Sequence, residues 1–424
     1  MSCARRQTGL EWLPDLPAEW DEREIGRDVW VRARLGWKGL TADEYVDEGV
    51  PMLATPDIKS PEIQFDAAKK ITKERYAESP EIMLTVGDVL LTKDGSTIGT
   101  VNVVRELLGA ATVNGSIAVL TPSGDLDGRY LYWFVASSYA QSIFGRLRGG
   151  MGVPHLFQRD INRIKMPYPG RAEQQAIADY LDRETARIDT LIEEQQRLIE
   201  MLRERRSAEI SRATGWGPEL LEGWSMMRLS WLFEATASGT TPVNEDITYG
   251  EDAEFPWVTT GELREAVVES TIRGVSAEVI ERYSALKTHP AGSLLIAMYG
   301  ATIGRMAILG VDATSNQACC ALVGPVRAVP EFVQYSLQSA KQRLLLEAAG
   351  GGQPNINQEK IRSFRIPAPS LAEQLRICAD LDTKVSKLDG LITETGRFIE
   401  LSRERRAALI TAAVTGQIDV REGA

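Results

Sequence analysis

The chain has 424 residues, of which 43% are hydrophobic and 25% are charged, and its formal net charge is -11. These values exclude a mostly disordered chain and predict a globular protein of two to four compact units, and the acidic balance argues against a protein that coats nucleic acid generally. The sequence contains no run of about eighteen apolar residues and no apolar segment behind its first arginines. Neither a membrane span nor a signal peptide is indicated, so a cytoplasmic location is expected.

Short apolar and β-branched runs mark the first globular region. VGDVLLTKDG, IGTVNVV and SIAVL are punctuated by Gly and Asp, which predicts strands joined by tight turns. A helix is predicted at 129–146, and the glycine-rich loop GGMGVP follows it. Between Arg129 and Lys165, six basic residues stand against one acidic residue. This excess indicates either a local basic face or an ordinary solvated surface with charges at helix ends.

A long amphipathic helix is predicted over 171–212, a stretch without proline or internal glycine in which apolar residues recur at three- and four-residue multiples. A second set of strand-like runs follows, namely GSLLIAMYG, IGRMAIL and CCALVG, and then a helix at 331–347 and the loop GGGQPN. The last part of the chain predicts a second long helix with a pattern close to a heptad. Gly215 and Gly416 stand just past the two predicted helix ends.

The chain is one unit written twice. RERR occurs at 203–206 and at 403–406, an offset of 200 residues. In the same register, PYPGRAEQQAIADYLDRETARIDTLIEEQ at 167 aligns without a gap over PAPSLAEQLRICADLDTKVSKLDGLITET at 367. The offset drifts to 205 where GDVLLTKDGSTIGTVNVV at 87 parallels GSLLIAMYGATIGRMAIL at 292. The order is therefore globular unit, helix, globular unit, helix.

The two long helices are predicted to form an antiparallel coiled coil. The second globular unit connects the end of the first helix to the start of the second, and domain termini commonly lie close together. The predicted fold is α+β, with two similar domains joined and separated by the helices and related by an approximate two-fold axis. The predicted boundaries are 1–166 for the first domain, 167–215 for the first helix, 216–366 for the second domain, 367–416 for the second helix and 417–424 for a tail.

Arrangements typical of catalytic sites are scarce. The only histidines, His155 and His289, do not occupy equivalent positions in the two halves, which argues against a shared histidine mechanism. No G-x-x-x-x-G-K-[ST] occurs, nor G-x-G-x-x-G after a strand. A metal nuclease built on Pro56, Asp57 and Glu62 would lack the expected lysine two places after the glutamate. The four cysteines lack the spacing of a metal site and are predicted to be reduced and structural.

Each half carries the pattern GD/GS-LL, then G-x-T-I-G, a glycine-rich loop, Q-x-x-I, P-x-P, A-E-Q and a long helix. The G-x-T-I-G segments, 95–99 and 300–304, either cradle a phosphate through backbone N–H groups or form simple glycine turns. Taken together, the doubled pattern resembles the specificity (S) subunit of type I restriction-modification enzymes. The resemblance covers nearly the whole chain, with the departure that the second half has Ala-Gly-Ser where the first has Val-Gly-Asp.

This resemblance implies that each globular unit is a target recognition domain that reads one half of a bipartite sequence in double-stranded DNA. It implies that the helices act as a ruler and dock two methyltransferase (M) subunits. S-adenosylmethionine would bind to the M subunits, which methylate adenine, and ATP and magnesium to the restriction (R) subunits, which translocate and cut DNA. The chain itself would be non-catalytic, with no cofactor and no metal of its own.

Polar or basic residues beside glycines in turns and loops are the expected DNA contacts. These candidates are Trp37, Lys38, Lys93, Ser96, Thr97, Arg146 and Arg148 in the first unit, and Tyr299, Thr302, Arg305, Gln353 and Asn355 in the second. The exposed faces of the long helices are the expected partner-binding surface. Its candidates are Arg203, Arg205, Arg206, Arg403, Arg405 and Arg406. Simple turn duty and a solvated charged face are the alternative roles for the two sets.

Two other functional classes stay open. One is a scaffold whose paired domains bind protein ligands through a coiled-coil spacer, and sequence-selective methylation by a reconstituted complex would exclude it. The other is an enzyme with an unrecognised active site, such as a nuclease. Metal-dependent cleavage of DNA by the chain alone would be needed to support that second class.

Overall fold

A computed structural model of the chain describes residues 5–8, 15–34, 42–147, 154–250, 253–346 and 355–420. The chain divides into two units: unit 1 contains residues 1–196 and 397–424, and unit 2 contains residues 197–396. Unit 1 is therefore assembled from both ends of the sequence, whereas unit 2 is continuous. Within the described ranges, no helix combines the length and the apolar character that crossing a membrane requires.

Unit 1 is built from short strands and helices around one main sheet. Its strands are β1 (Arg5–Arg6), β2 (Leu16–Pro17), β3 (Asp21–Glu24), β4 (Val29–Arg32), β5 (Val50–Leu53), β6 (Lys70–Ile71), β7 (Val89–Thr92), β8 (Val101–Val103), β9 (Thr112–Val113), β10 (Ile117–Pro122) and β11 (Lys165–Tyr168). Its helices are α1 (Ile25–Asp28), α2 (Lys73–Ala77), α3 (Gly128–Ala136), α4 (Ser138–Leu147), α5 (Gln158–Asn162) and the first part of α6 (Arg171–Ala213). The main sheet is antiparallel in the order β4-β10-β7-β8.

Alternate residues of the main sheet face two different cores. Val89 and Leu91 of β7 pack in the core that α3 and α4 cover, together with Tyr130 and Phe134. Leu90, between them, packs in a second core on the opposite face. Side chains of a strand alternate between faces, so one apolar run supplies both cores. This explains why VLL reads as a continuous apolar run: the strand is buried on both sides.

Unit 2 repeats this construction. Its strands are β12 (Ser225–Arg228), β13 (Phe233–Ser238), β14 (Thr248–Tyr249), β15 (Phe255–Val258), β16 (Val267–Val268), β17 (Arg273–Val275), β18 (Leu294–Ala297), β19 (Met306–Leu309), β20 (Thr314–Ser315), β21 (Cys319–Pro325) and β22 (Arg365–Ala368). Its helices are the last part of α6, then α7 (Leu229–Leu232), α8 (Ala277–Arg282), α9 (Pro330–Ser339), α10 (Lys341–Leu346), α11 (Gln358–Ser363) and the first part of α12 (Leu371–Val414).

The main sheet of unit 2 has the order β13-β21-β18-β19-β16, in which β16 adds a fifth strand parallel to β19. A second sheet, β14-β17-β15-β20, lies in the part of the unit where the two halves of the sequence differ most. Each predicted flanking helix is divided in two. Ser137 adopts an extended conformation between α3 and α4, and Ala340 separates α9 from α10. Both units are α+β, as predicted.

The two long helices extend over 43 and 44 residues, close to the predicted lengths. Each ends at a glycine in the left-handed conformation, Gly215 with φ 72° and Gly416 with φ 64°. The N–H of Trp216 then bonds the carbonyl of Ser211 at 3.0 Å. The N–H of Gln417 likewise bonds the carbonyl of Ala412 at 2.7 Å. This is the Schellman ending, which only glycine adopts without strain at that position.

Within unit 1, an early residue of α6 pairs with a late residue of α12: Arg406 Nε lies 2.8 Å from Asp189 Oδ1. Within unit 2, a late residue of α6 pairs with an early residue of α12, since Arg206 Nε lies 2.8 Å from Asp389 Oδ1. Both pairings require the helices to run in opposite directions. The predicted antiparallel arrangement is confirmed in each unit, and the approximate two-fold relation stays a prediction.

A buried glutamine fastens α6 to unit 1. Gln174 is fully buried one turn into the helix. Its Oε1 accepts the N–H of Asp127 at 2.8 Å, and its Nε2 donates to the carbonyl of Pro169 at 2.9 Å. Asp127 is the N-cap residue of α3. One side-chain amide thus joins the extended entry to α6 with the helix that covers the sheet.

Gln374 makes the equivalent connection in unit 2. Its Oε1 accepts the N–H of Val329, the N-cap residue of α9, at 2.8 Å. Its Nε2 donates to the carbonyls of Arg327 and Pro369, at 3.1 and 3.0 Å. The shared A-E-Q motif therefore has a structural purpose: its glutamine satisfies buried backbone groups that would otherwise lack partners.

A buried ion pair explains one difference between the two halves, the Val-Gly-Asp of the first against the Ala-Gly-Ser of the second. Asp88 is fully buried, and its Oδ2 lies 2.7 Å from Nη2 of Arg32, which is 6% exposed. Asp88 also accepts the N–H of Thr85 at 2.7 Å. Unit 2 has Ser293 at this position, and its hydroxyl donates to the carbonyl of Pro290 at 2.7 Å. The change from Val-Gly-Asp to Ala-Gly-Ser thus reflects two different side chains that hydrogen bond to the backbone of the same turn.

Replacing Gln174 or Gln374 by Leu should lower the free energy of unfolding by about 1–3 kcal/mol each, because buried backbone groups lose their partners. Urea unfolding followed by circular dichroism measures the change. Gln196→Leu, an exposed position on α6, is the matched control and should change little. Equal effects at the buried and exposed glutamines would contradict the proposed connection.

Asp88→Ala should destabilise unit 1 by about 3–5 kcal/mol, because the buried guanidinium of Arg32 loses its counter-charge. The double variant Arg32→Met with Asp88→Leu should recover most of that loss, since no unpaired charge then remains. Thermal unfolding measures both. Ser293→Ala, at the equivalent place in unit 2, should cost only about 1 kcal/mol. A double variant as unstable as Asp88→Ala would show that the charge is not the cause.

Candidate nucleic-acid interface

In each unit, the G-x-T-I-G segment forms a turn directly after the central strand. In unit 1 it follows β7, and in unit 2 it follows β18. The glycines that bound it all have positive φ, namely Gly95 at 86°, Gly99 at 95°, Gly300 at 81° and Gly304 at 74°. Left-handed backbone favours glycine, so these four glycines are explained by the turn itself. Between them, Ser96 and Thr97 in unit 1 and Ala301 in unit 2 are exposed, whereas Ile98 is buried.

A second segment is fixed beside this turn in both units. In unit 1, the N–H of Leu156 bonds the carbonyl of Lys93 at 2.8 Å. In unit 2, the N–H of Ile356 bonds the carbonyl of Met298 at 2.8 Å. The residues that follow the glycine-rich loop are therefore held against the turn by the same backbone bond in each unit. We call the G-x-T-I-G turn, the segment after the glycine-rich loop and the bond between them the frame. The frame is common to both units, whereas its side chains differ between them.

The structure brings several predicted residues of unit 1 onto this frame. Ser96 and Thr97 are exposed in the turn. Lys93 is only 9% exposed, and its Nζ lies 2.7 Å from Asp94 Oδ2, so a neighbouring carboxylate already holds it. Arg146 lies in the last turn of α4. The other three candidates, Trp37, Lys38 and Arg148, lie outside the described residues.

In unit 2, the frame carries Tyr299, Thr302, Arg305 and Asn355. Tyr299 and Asn355 form an isolated β-bridge across the two segments. Arg305 and Asn355 are exposed, whereas Tyr299 and Thr302 are half-buried, and burial raises the pKa of the Tyr299 hydroxyl. Gln353 lies outside the described residues. Four of the five candidates therefore lie in the turn, directly beside it or in the segment that is bonded to it.

In unit 1, two residues that sequence reasoning did not single out for binding bridge the turn and the segment after the glycine-rich loop. Asp94 and His155 form the bridge equivalent to Tyr299 and Asn355, and their side chains are hydrogen bonded through Oδ1 and Nδ1. The offsets of 205 and 200 residues connect these positions between the halves. That equivalence is the signal that could have found them.

The basic excess between Arg129 and Lys165 is partly neutralised inside unit 1. Arg129 Nη1 lies 2.7 Å from Asp179 Oδ1, and Lys165 Nζ lies 2.6 Å from Glu22 Oε1. The side chain of Arg159 is 74% exposed, and its Nε lies 3.6 Å from Asp160 Oδ1. The local basic excess is therefore weaker than the sequence count indicates.

The two cysteines of β21, His289 and Asp57 are held by burial or by local hydrogen bonds. Burial raises the pKa of the Cys319 and Cys320 thiols to about 12, so both stay protonated at neutral pH. Burial lowers the pKa of His289, which faces the hydroxyl of Ser315 at 3.2 Å. Asp57 accepts the N–H of Ala54 at 2.7 Å in a local turn. Among the described residues, no group of three or more His, Cys, Asp or Glu side chains could hold a metal ion.

The arginines of RERR fall into two groups. Arg206 and Arg406 are half-buried and make the ion pairs between the helices. Arg203, Arg205, Arg403 and Arg405 are exposed on the helix surface. Exposed apolar residues lie on the same helices at equivalent positions. These are Leu191 at 44% and Leu401 at 54% in unit 1, and Leu391 at 48% and Met201 at 58% in unit 2.

Comparison with known proteins adds the family. The model of the type I restriction modification DNA specificity domain matches residues 19–201 and 221–395. The chain is 29% identical over 173 residues to the type I restriction enzyme EcoR124I/EcoR124II specificity subunit of Escherichia coli, an alignment that covers 39% of this chain and 42% of that relative. It is 21% identical over 429 residues to the MjaVIII specificity subunit of Methanocaldococcus jannaschii, covering 96% of this chain and 94% of the relative.

Solved structures share the fold. One chain, from work on complex assembly and conformational transition of the type I R-M system, has a TM-score of 0.73 at 16% identity, covering 95% of this chain and 99% of that chain. The HsdS subunit from Thermoanaerobacter tengcongensis has a TM-score of 0.58 at 16% identity, covering 96% of this chain and 99% of that one. The family match extends over both units and over most of the sequence. The chain therefore belongs to the type I restriction modification DNA specificity family, as a type I restriction-modification specificity subunit.

Proposed function

We propose that the chain is the non-catalytic subunit that gives a type I restriction-modification complex its DNA sequence specificity. Each unit reads one half of a bipartite target in double-stranded DNA. The observation that carries this proposal is the repeated frame: both units hold a polar turn and a loop together by the same backbone bond, yet present different side chains. Two readers with one frame and different surfaces fit two different half-sites.

The candidate contacts follow from this frame. In unit 1 they are Lys93, Ser96, Thr97 and Arg146, with Trp37, Lys38 and Arg148, and in unit 2 they are Tyr299, Thr302, Arg305 and Asn355, with Gln353. Exposed hydroxyl, amide and guanidinium groups are the types that hydrogen bond to base edges and phosphates. Because Lys93 is buried against Asp94, its contribution is to shape the turn, and Ser96 and Thr97 are the stronger candidates.

The long helices would fix the distance between the two readers. A helix of 43 residues extends for roughly 65 Å. Half-sites on one face of a duplex are separated by about 34–36 Å or by multiples of that distance. The proposed domain boundaries are 1–166 and 216–366 for the readers, 167–215 and 367–416 for the helices, and 417–424 for a tail. The ion pairs of Arg206 and Arg406 stabilise the helices in this role.

The same helices would dock two methyltransferase subunits. Exposed leucine and methionine side chains at equivalent positions provide two similar apolar patches, and the exposed arginines Arg203, Arg205, Arg403 and Arg405 flank them in sequence. Similar surfaces in both units fit two copies of one partner. In that complex, S-adenosylmethionine belongs to the M subunits, and ATP and magnesium belong to the R subunits. The complex would work on cytoplasmic DNA.

A reconstituted complex of the chain with its M subunits should methylate adenines within one bipartite sequence. Sequencing of methylated bases in treated genomic DNA identifies that sequence. Changing a base pair in either half should lower the affinity about 5- to 100-fold, the usual cost of one mismatch. The M subunit alone is the control and should show no such preference. Binding of the M subunit without sequence-selective methylation would favour the alternative, a scaffold for protein ligands.

Seven residues inserted into each long helix should lengthen the tolerated gap between half-sites. The insertions lie midway between Asp189 and Arg206 and midway between Asp389 and Arg406. Seven helical residues add about 10 Å, close to three base pairs. Sequencing of methylated bases gives the new gap. The matched control is the same insertion at Gly217, in the turn after α6, which should leave the gap unchanged. An unchanged gap in the helix variant would contradict the ruler role.

A further inference from the structure

The short helix after the glycine-rich loop begins differently in the two units. In unit 2, Asn357 is the N-cap residue of α11, and its Oδ1 accepts the N–H of Lys360 at 2.9 Å. In unit 1, Phe157 is the N-cap residue of α5 and makes no such bond with its side chain. Asparagine is among the best residues at an N-cap, and phenylalanine cannot serve there. Unit 1 thus gives up a stabilising bond at a position where unit 2 keeps it.

Burial does not compensate for this loss. The side chain of Phe157 is 41% exposed, although α5 itself is anchored by the buried residue Ile161. A large aromatic side chain that is 41% exposed departs from the local rule at a position that favours a small polar residue. Such departures are typical of functional positions.

The surroundings of Phe157 are polar, and each basic group in them lies beside a carboxylate: His155 beside Asp94, and Arg159 Nε 3.6 Å from Asp160 Oδ1. The ring of His155 meets the ring of Phe157 edge-on, with centroids 4.5 Å apart. The guanidinium carbon of Arg159 also lies over the Phe157 ring, 4.9 Å from its centroid. His155 is in turn hydrogen bonded to Asp94, which pairs with Lys93. The aromatic ring therefore lies beside an anchored imidazole and an exposed arginine.

This group is fixed next to the exposed turn. The N–H of Leu156, the residue before Phe157, bonds the carbonyl of Lys93, two residues before the G-x-T-I-G turn begins. An aromatic ring held by the backbone loses little conformational entropy on binding. The family identifies the occupant: both units match the type I restriction modification DNA specificity domain, so an exposed ring beside this turn is placed to meet duplex DNA.

We infer that Phe157, supported by His155 and Arg159, is a specificity-determining residue of unit 1 that contacts the 5-methyl group of a thymine in its half-site. The inference rests on the proposed function. The major groove offers the thymine methyl group as its apolar feature, and phenylalanine is one of the residues that recognise it. Arg159 is placed to contact a neighbouring phosphate or guanine. In unit 2, Asn357 caps its helix instead, and reading falls to Tyr299 and Asn355.

The decisive variant is Phe157→Asn in the complete complex of the chain with its M subunits, because it installs the residue that unit 2 uses. The midpoint of thermal unfolding should stay the same or rise by up to about 3 °C, since a cap is gained. The affinity for a duplex that carries the sequence methylated by the wild-type complex should fall about 5- to 100-fold. Discrimination should be lost at one thymine of a single half-site. The other half-site should be read as before.

Two further variants serve as controls for this experiment. Phe157→Tyr keeps the ring and should retain most of the discrimination. Asn357→Ala removes the cap in unit 2 and shows how much such a cap stabilises this fold. A fall in the unfolding midpoint with unchanged discrimination would overturn the inference, because Phe157 would then be structural. An equal loss of affinity for all sequences would overturn it as well.

Failure of the inference is separable from failure of the proposed function. If the wild-type complex discriminates at both half-sites and Phe157→Asn does too, the inference falls and the function stands. If the wild-type complex shows no sequence preference, both fall together.

Discussion

A side-chain amide buried at the start of each long helix holds each unit to its helix. Gln174 and Gln374 each accept an N–H from the N-cap residue of a covering helix and donate to a carbonyl in the extended entry segment. A buried amide with all its partners satisfied permits few alternative geometries, because each alternative leaves a polar group unpaired. These two glutamines therefore restrict how each unit is oriented on its long helix, and in unit 1 Asp182 adds bonds to Arg105 and Trp133.

The helices, the A-E-Q motif and the G-x-T-I-G turns could be predicted from the sequence because they are repeated. An offset of 200 residues aligns Gln174 with Gln374 and Asp189 with Asp389, and it marks them as shared before any contact is known. The glycine endings at Gly215 and Gly416 follow from local conformation alone. The regular spacing of apolar residues also predicted how far each long helix extends, because the apolar stripe continues for as long as the helix packs against its partner.

Other features depended on contacts that sequence patterns do not carry. The bond between Asp94 and His155 joins residues 61 positions apart, and the ion pair of Arg32 and Asp88 joins residues 56 positions apart. Neither residue type signals its partner. The four-stranded sheet of β14, β15, β17 and β20 was missed for a related reason: its strands have two to four residues, too few to show an alternation. The segments that we propose as DNA contacts are therefore where prediction from one sequence was weakest.

The discontinuity of unit 1 has a consequence for biosynthesis. Ile410, Ala413 and Val414 are buried in the core of unit 1, where the hydroxyl of Tyr130 also donates to the carbonyl of Val414. A ribosome makes these residues only after the whole of unit 2, which is continuous over 197–396. Domains usually fold in the order of their synthesis. Here the domain that emerges first is the one whose core is completed last. Part of its apolar surface therefore stays exposed until the ribosome has made the end of α12.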